Sequence, residues 1–243
     1  LFIGKKYINI NMYWGDIKSL LLNYKKNNIN NTITHTIIPN KNNKIFNSGF
    51  ALSIPVEDID HVYDKLHDLY FNQEEKLSLT ESFGELSPLV IDLDMKYEYK
   101  ENKRFYTETT IIELIKFIYK ELNIYFDNID SECWITEKEK PTYIKEETIV
   151  KDGIHIIFPN IIGHTKVFTE FIKKLTDTDD NCYTINDIFE NTSIDNITPK
   201  NNVRDILDSK VKRWFVYGDG KNGSYPYLLT KIINCETFEI IEK

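Results

Sequence analysis

The sequence predicts an α+β protein whose main unit has the order β-α-β-β-α-β and follows a smaller α/β region. Two observations lead to this fold class. Apolar strand patterns and amphipathic helix patterns alternate in that order between residues 88 and 218, and this order is typical of the split βαβ, or ferredoxin-like, unit. The 243 residues also suffice for one large domain or two small ones. We therefore expect an N-terminal α/β subdomain at residues 1–87 and a ferredoxin-like core with a C-terminal hairpin at residues 88–243.

The N-terminal region is expected to contain a helix, two strands and a second helix. Residues 13–26 and 57–71 carry apolar side chains at helical spacing. Between them, "TITHTII" alternates like a strand, and "KIFNSGFALSIP" predicts a second strand that is broken at Ser48 and Gly49.

The second region follows the β-α-β-β-α-β order more regularly. Its predicted elements are a strand at 88–95, a helix at 107–122 with Thr110 and Glu113 as a capping box, the strand "SECWIT", a polar loop at 137–150, the strand "GIHIIFP", a helix at 165–176 and the strand "KVKRWFVYG". The final stretch, "PYLLTKIINCETFEIIE", predicts a hairpin.

This order predicts where charged side chains meet. We expect strands 1 and 3 to be central, parallel neighbours, with strand 4 antiparallel on the other side of strand 1. Strand 1 ends with Asp92 and Asp94, strand 4 is preceded by Asp208, and strand 3 carries His155. Three carboxylates and one imidazole should therefore converge on one sheet face.

The paired aspartates require a counter-charge. Side chains at i and i+2 of a strand project on the same side, about 7 Å apart, and two such carboxylates repel each other. Hard divalent cations relieve this repulsion, and two Mg²⁺ or Mn²⁺ ions would suit phosphoryl transfer. The alternative is a pair of strand-end acids that form salt bridges with Lys96, Lys103 or Arg104. Because the topology adds Asp208, we favour the metal interpretation.

Two further stretches suggest phosphate contacts. Gly153 would let the backbone approach a ligand closely, and His155 can donate to a phosphate oxygen. In "WFVYGDGKNGSYPY", Lys221 could place an ammonium on a triphosphate. The alternatives are a structural strand histidine and an incidental lysine at a hairpin tip.

Composition limits the other classes of function. The net charge of −8 argues against a generic nucleic-acid binder, although bound divalent metals would offset several acids. Three scattered cysteines favour a reducing compartment and predict no structural zinc in this segment. No apolar stretch is long enough to cross a bilayer. The start "LFIGKKYINI" suggests the interior of a longer protein.

Taken together, these motifs resemble the archaeo-eukaryotic primase (AEP) superfamily. D-x-D after an apolar run, G-x-H on a strand that is followed by proline, and an acid before a strand are similar to its three motifs in order and spacing. The stretches "SPLVIDLDMKY", "ECWITEKEKPTY", "DGIHIIFPN" and "ILDSKVKRWFVYGDGKN" are similar to the primase domains of primase-helicases and PrimPol-like proteins of giant and other large DNA viruses. The resemblance covers nearly the whole chain.

The resemblance implies a role for each candidate residue. Asp92, Asp94 and Asp208 would be the catalytic metal ligands, while Gly153, His155 and Lys221 would bind the incoming nucleotide. Three questions stay open from the residues. Asp205 competes with Asp208, Arg104 would contact either the template or the acids, and His35 would contact template or nucleotide or else belong to the strand core.

The implied function is a primase or primase-polymerase that makes or extends primers on single-stranded DNA from NTPs or dNTPs. The alternatives are a metal-dependent nuclease and a non-catalytic nucleic-acid-binding module of the same strand order. The resemblance also implies Mg²⁺ or Mn²⁺ as cofactor, a superfamily 3 helicase beyond residue 243, no membrane partner, and an intracellular location such as the viral factory of the host cytoplasm.

Overall fold

The protein has an α+β fold, as predicted. The computed structural model describes residues 14–26, 32–39, 45–99, 103–126, 132–176, 184–209, 213–221 and 224–242. The helices are α1 (Trp14–Asn23), α2 (Ile59–His67), α3 (Glu108–Tyr125), α4 (Thr165–Thr176), α5 (Ile185–Thr192) and α6 (Val203–Ile206). The strands are β1 (His35–Ile37), β2 (Phe50–Leu52), β3 (Leu79–Ser82), β4 (Leu86–Glu98), β5 (Glu132–Lys138), β6 (Thr142–Ile144), β7 (Ile149–His164), β8 (Arg213–Phe215), β9 (Tyr227–Asn234) and β10 (Ile240–Glu242). None of the helices in these ranges is long and apolar enough to cross a membrane.

The first sheet combines the N-terminal region with one strand from much later in the chain. Its order is β2-β1-β3-β8, and all its pairs are antiparallel. Helices α1 and α2 cover it through an apolar cluster that includes Ile17, Leu21, Val62, Leu66 and Leu79, together with Val216 from just after β8. β3 was not predicted, and β8 is the stretch that we expected as strand 4 of the second sheet.

The second sheet contains six strands in the order β10-β9-β5-β7-β4, with β6 paired to β7. β4 and β7, the predicted strands 1 and 3, are neighbours as expected, but they are antiparallel, so the predicted parallel pairing is wrong. The reason is that β7 lies between β5 and β4 and is antiparallel to both. β4 and β5 therefore run in the same direction, and β7 runs in the opposite direction between them.

An irregular segment takes the place of the predicted fourth strand beside β4. The backbone N–H of Lys200 donates to the Lys96 carbonyl (2.6 Å), and that of Asp208 donates to the Asp92 carbonyl (3.1 Å). Leu207 forms an isolated bridge with Leu93. The short helix α6 interrupts this segment, and the chain then crosses to the first sheet as β8. The strand assignment was therefore wrong, while Asp208 still lies beside the free edge of β4.

Alternation along the strands separates an apolar face from a polar face in the second sheet. Ile91, Leu93 and Met95 of β4 are buried in one cluster with residues of α3 and α4. Residues at the intervening positions, Asp92 and Asp94 among them, lie on the opposite face. α3 begins with a capping box between Thr107 and Thr110, one turn earlier than the predicted Thr110–Glu113 pair.

Candidate functional site

The polar face of the second sheet gathers the residues of the first two sequence motifs. In the strand register, Asp92 of β4 pairs with His155 of β7, and His155 pairs with Thr136 of β5. In the next row of this face, Asp94 pairs with Gly153. Directly paired residues project on the same side of a sheet, so both aspartates and the histidine face one region.

The third acid reaches this region through the segment beside β4. The hydrogen bond between the Asp208 N–H and the Asp92 carbonyl places the two residues side by side. The charge of Asp208 also raises the pKa of Asp92. Asp205 lies instead in the exposed first turn of α6, where its N–H donates to the side chain of Asn202. This geometry favours Asp208 over Asp205 as the third acid.

The carboxylate of Asp92 is in an unfavourable environment. Its Oδ1 atom is buried and accepts no well-aligned hydrogen bond within the described part of the chain. Nε2 of His155 lies 3.4 Å from this oxygen. The two atoms are close, but their geometry does not meet the criteria for a hydrogen bond. Burial, together with the charges of Asp94 and Asp208, raises the pKa of Asp92 to about 8. The positive charge of Lys138 acts in the opposite direction but does not compensate for these effects.

The imidazole of His155 lies between two aromatic rings. The Trp214 ring is stacked at 4.2 Å with an interplanar angle of 16°, and the Tyr227 ring is stacked at 3.5 Å with an angle of 18°. Burial and, to a smaller extent, the charge of Lys138 lower the pKa of His155 to about 3. The histidine is therefore neutral at physiological pH. Because Trp214 belongs to β8, this stack also joins the two sheets.

Gly153 has a packing role in addition to its predicted role in ligand approach. A Cβ atom at this position would lie 2.3 Å from the Tyr227 hydroxyl and 2.8 Å from the Leu93 carbonyl oxygen. Glycine therefore allows Tyr227 to lie across the strand and stack on His155. The nucleotide contact stays a prediction.

Arg104 is held on the other face of the sheet, away from Asp92 and Asp94. Its guanidinium donates to Asp152 and Glu137, each at 2.9 Å, and to the Lys138 carbonyl at 2.6 Å. It also lies over the ring of Tyr106. Of its two suggested roles, the geometry favours a salt bridge, but to different acids from those of the sequence motif.

His35 belongs to the interior of the first sheet. It is 1% exposed, and its ring nitrogens contact the hydroxyls of Thr34 (3.0 Å) and Tyr63 (3.1 Å). Burial lowers its pKa to about 4. These contacts favour the strand-core alternative over contact with template or nucleotide.

Lys221 lies on an exposed turn that is anchored by its neighbour Asp219. Lys221 is exposed, and its ammonium forms no salt bridge within the described ranges. Asp219 is 2% exposed, and its carboxylate accepts four hydrogen bonds. The donors are the Tyr70 hydroxyl and the backbone N–H groups of Ser78, Leu79 and Gly220. The loop is thereby fixed to the first sheet, although Lys221 is not brought into contact with His155.

Sequence reasoning missed three residues around His155: Trp214, Tyr227 and Lys138. Lys138 was detectable, because it lies two residues after Thr136 and therefore shares its face of β5. Trp214 and Tyr227 were not, because their positions depend on β8 joining the first sheet and on the pairing of β9 with β5.

The donor chemistry of the three acids suits a hard divalent cation. Carboxylate oxygens are preferred ligands of Mg²⁺ and Mn²⁺. Such an ion would satisfy the buried Oδ1 of Asp92, which has no hydrogen-bond partner in the described part of the chain. Among the residues that the structure describes, however, no three His, Cys, Asp or Glu side chains are already arranged to hold a metal ion. Asp94 and Asp208 are both exposed, and metal binding would have to bring their carboxylates closer to Asp92 than they are in this structure.

The sequence of this chain is similar to a protein family and to proteins of large DNA viruses. The family model described as "C962R protein N-terminal AEP domain" matches residues 26–233. "Putative helicase 184R" of Invertebrate iridescent virus 6 is 29% identical over 197 residues, which cover 72% of this chain and 20% of that protein. "Putative helicase L207/L206" of Acanthamoeba polyphaga mimivirus is 27% identical over 240 residues, which cover 92% of this chain and 22% of that protein. The chain thus matches about a fifth of the length of each relative.

Proposed function

Because the chain belongs to the family of the C962R protein N-terminal AEP domain, we propose that it is a primase-polymerase domain that acts in viral DNA replication. It would transfer nucleotidyl groups from NTPs or dNTPs to make or extend a primer on a single-stranded DNA template. The observation that carries this proposal is the convergence of Asp92, Asp94 and Asp208 beside His155 at one edge of the second sheet.

In this reaction a 3′-hydroxyl attacks the α-phosphate of the incoming nucleotide, and pyrophosphate leaves. Asp92, Asp94 and Asp208 would hold Mg²⁺ or Mn²⁺, which stabilises the charge of the transferred phosphoryl group and of the leaving group. His155, being neutral, would donate one N–H hydrogen bond to a phosphate oxygen and add no charge. The stack of Trp214 and Tyr227 limits the rotation of its ring.

We further propose that the domain works inside the infected cell as part of a longer replication protein. Both relatives carry the word helicase in their names and are about five times longer than the matched region. A helicase in the same chain would expose the single-stranded template that this domain copies.

The test is synthesis on primed and unprimed single-stranded DNA with labelled NTPs or dNTPs, in Mg²⁺, Mn²⁺ or EDTA. The wild type should give products that grow in a nucleotide-dependent and metal-dependent way. Asp92→Ala combined with Asp94→Ala should abolish product, and Asp208→Ala should reduce it by at least about 100-fold. Asp205→Ala is the matched control, because this acid lies on the same segment, and it should retain activity.

Three outcomes would contradict the proposal. Growth of product that survives the double aspartate substitution would exclude these acids from catalysis. Metal-dependent shortening of labelled DNA without growth would indicate the nuclease alternative. RNA or DNA binding that resists chelation, with no reaction of either kind, would indicate the non-catalytic module.

A further inference from the structure

Among the residues that the structure describes, Lys138 is the basic residue nearest in strand register to His155 and the rings stacked on it. It is the last residue of β5 and pairs with Tyr227 of β9. It also lies two residues after Thr136, the partner of His155, and therefore on the same sheet face as His155 and Asp92. Its ammonium lies 4.8 Å from the centre of the Tyr227 ring.

The ammonium of Lys138 has no carboxylate partner within the described residues. Arg104 and Lys231, by contrast, are paired with Glu137 on the opposite face. Lys138 is only half-buried, so its head group stays within reach of a ligand. Its charge acts on both Asp92 and His155, as the pKa values of these two groups record.

A polyphosphate at this face needs a permanent positive charge from the protein. The acids Asp92, Asp94 and Asp208 do not attract a phosphate, and His155, stacked between Trp214 and Tyr227, offers a ring N–H as its donor. An ammonium supplies three donors and a full charge. Lys138 supplies this positive charge close to His155, because the Tyr227 ring contacts both the Lys138 ammonium and the His155 imidazole.

We propose that Lys138 binds the phosphate groups of the incoming nucleotide and that Tyr227 is the positioning residue for both Lys138 and His155. This inference rests on the proposed function, from which it takes the nucleotide as ligand. One face of the Tyr227 ring stacks on His155, the ring lies within cation–π distance of Lys138, and its hydroxyl fills the space above Gly153. One side chain thus fixes the two phosphate-binding groups relative to each other.

The test measures binding of fluorescently labelled dATP with Mn²⁺ and without template, so that binding is read independently of synthesis. Lys138→Ala should weaken binding by about 10–100-fold, the loss of one charge-assisted contact, and Lys138→Arg should restore part of it. Lys140→Ala is the matched control, because Lys140 lies two residues further on, is exposed and is paired with Glu139 at 3.4 Å. It should bind as the wild type does.

The role of Tyr227 is tested by comparing Tyr227→Phe with Tyr227→Leu. Phenylalanine keeps the ring and should preserve binding within about threefold, whereas leucine should weaken binding about as much as Lys138→Ala. In the synthesis assay, both Lys138→Ala and Tyr227→Leu should raise the KM for nucleotide more than they lower kcat. Thermal unfolding of each variant shows whether a loss of binding follows from a loss of folding.

The outcomes separate this inference from the proposed function. Nucleotide binding that depends on Lys138 without any synthesis would overturn the proposed function and keep the inference. Synthesis by the wild type, with unchanged Kd and KM in Lys138→Ala, would overturn the inference and keep the function. A wild type that neither binds labelled dATP nor makes product would overturn both.

Discussion

Asp92 shows how a single site residue can lower the stability of the fold. Within the described residues, its buried Oδ1 accepts no hydrogen bond. Burial, together with the charges of Asp94 and Asp208, raises its pKa. Such an arrangement costs folding free energy and is typical of functional sites. The packing of β4 does not require an acid at position 92, so its unfavourable environment indicates that the carboxylate serves a function.

We expect Asp92→Asn to stabilise the protein while removing its activity. The amide has nearly the same shape and no charge, so in EDTA at pH 7 the free energy of unfolding should rise by about 1–3 kcal/mol. Chemical denaturation measures this change. The sign follows from the raised pKa of Asp92, about 8: the folded protein holds the proton more tightly, so wild-type stability falls as pH rises from about 4 to about 8.

The control for this prediction is Asp205→Asn, which removes an exposed acid of α6 and should leave stability unchanged. Adding Mg²⁺ should raise the melting temperature of the wild type more than that of Asp92→Asn, since a bound cation offsets the repulsion. A less stable Asp92→Asn protein in EDTA would show that Asp92 is a structural acid.

The packing around Gly153 leaves no room for a side chain. In Gly153→Ala the new methyl group would meet the Tyr227 hydroxyl and the Leu93 carbonyl, so we expect a loss of about 1–3 kcal/mol in unfolding free energy. Combining it with Tyr227→Phe removes the nearer of these atoms and should restore part of the loss. A double-mutant cycle by denaturant unfolding measures the coupling, and purely additive effects would contradict the contact.

At this scale, sequence reasoning located the acids but not their surroundings. Asp92, Asp94 and His155 were accessible because strand alternation alone determines which side chains share a face. Asp208 was accessible through the strand order, even though the expected strand was misplaced. Trp214 and Tyr227 could not be identified, because their contacts with His155 depend on tertiary pairing rather than on a local pattern.

Among the elements, the loop after β8 is attached to the first sheet by Asp219. Its carboxylate accepts four hydrogen bonds while almost fully buried. Asp219→Ala would leave those donors unsatisfied, and we expect a loss of about 2–3 kcal/mol in unfolding free energy. Tyr70→Phe removes one donor of the four and should cost about 1 kcal/mol. Equal effects of the two substitutions in denaturant unfolding would contradict this account.

Local signals explain which elements the sequence could predict. α4 was predicted with its observed bounds, Thr165–Thr176, because its apolar stripe is regular. β3 has only four residues, Leu79–Ser82, too few for a clear alternation. β8 was recognised as a strand, but its sheet was not, because the crossing between the sheets follows from the short α6 and from the pairing of β8 with β3.

For the molecule as a whole, three connections join the two sheets into one structure. β8 pairs with β3, Asp219 is bound by residues before β4, and Trp214 stacks on His155. The first two cross the predicted boundary at residue 87, and the third joins the sheets through two residues that both follow it. The candidate site lies at this junction, so its geometry depends on both regions of the chain.

These connections predict that the second region does not reach its native structure alone. A fragment of residues 85–243 retains all of β4 but lacks β3, so β8 loses its partner and Asp219 loses three of its four donors. We expect weak near-UV circular dichroism, fast amide exchange in β8 and no binding of labelled dATP. The matched control is the full chain cut once between Gly84 and Glu85, which keeps both regions and should retain the single cooperative transition of the intact protein. A fragment that unfolds cooperatively near the melting temperature of the whole chain would instead establish residues 88–243 as an independent domain and would show that these three connections contribute little to the site.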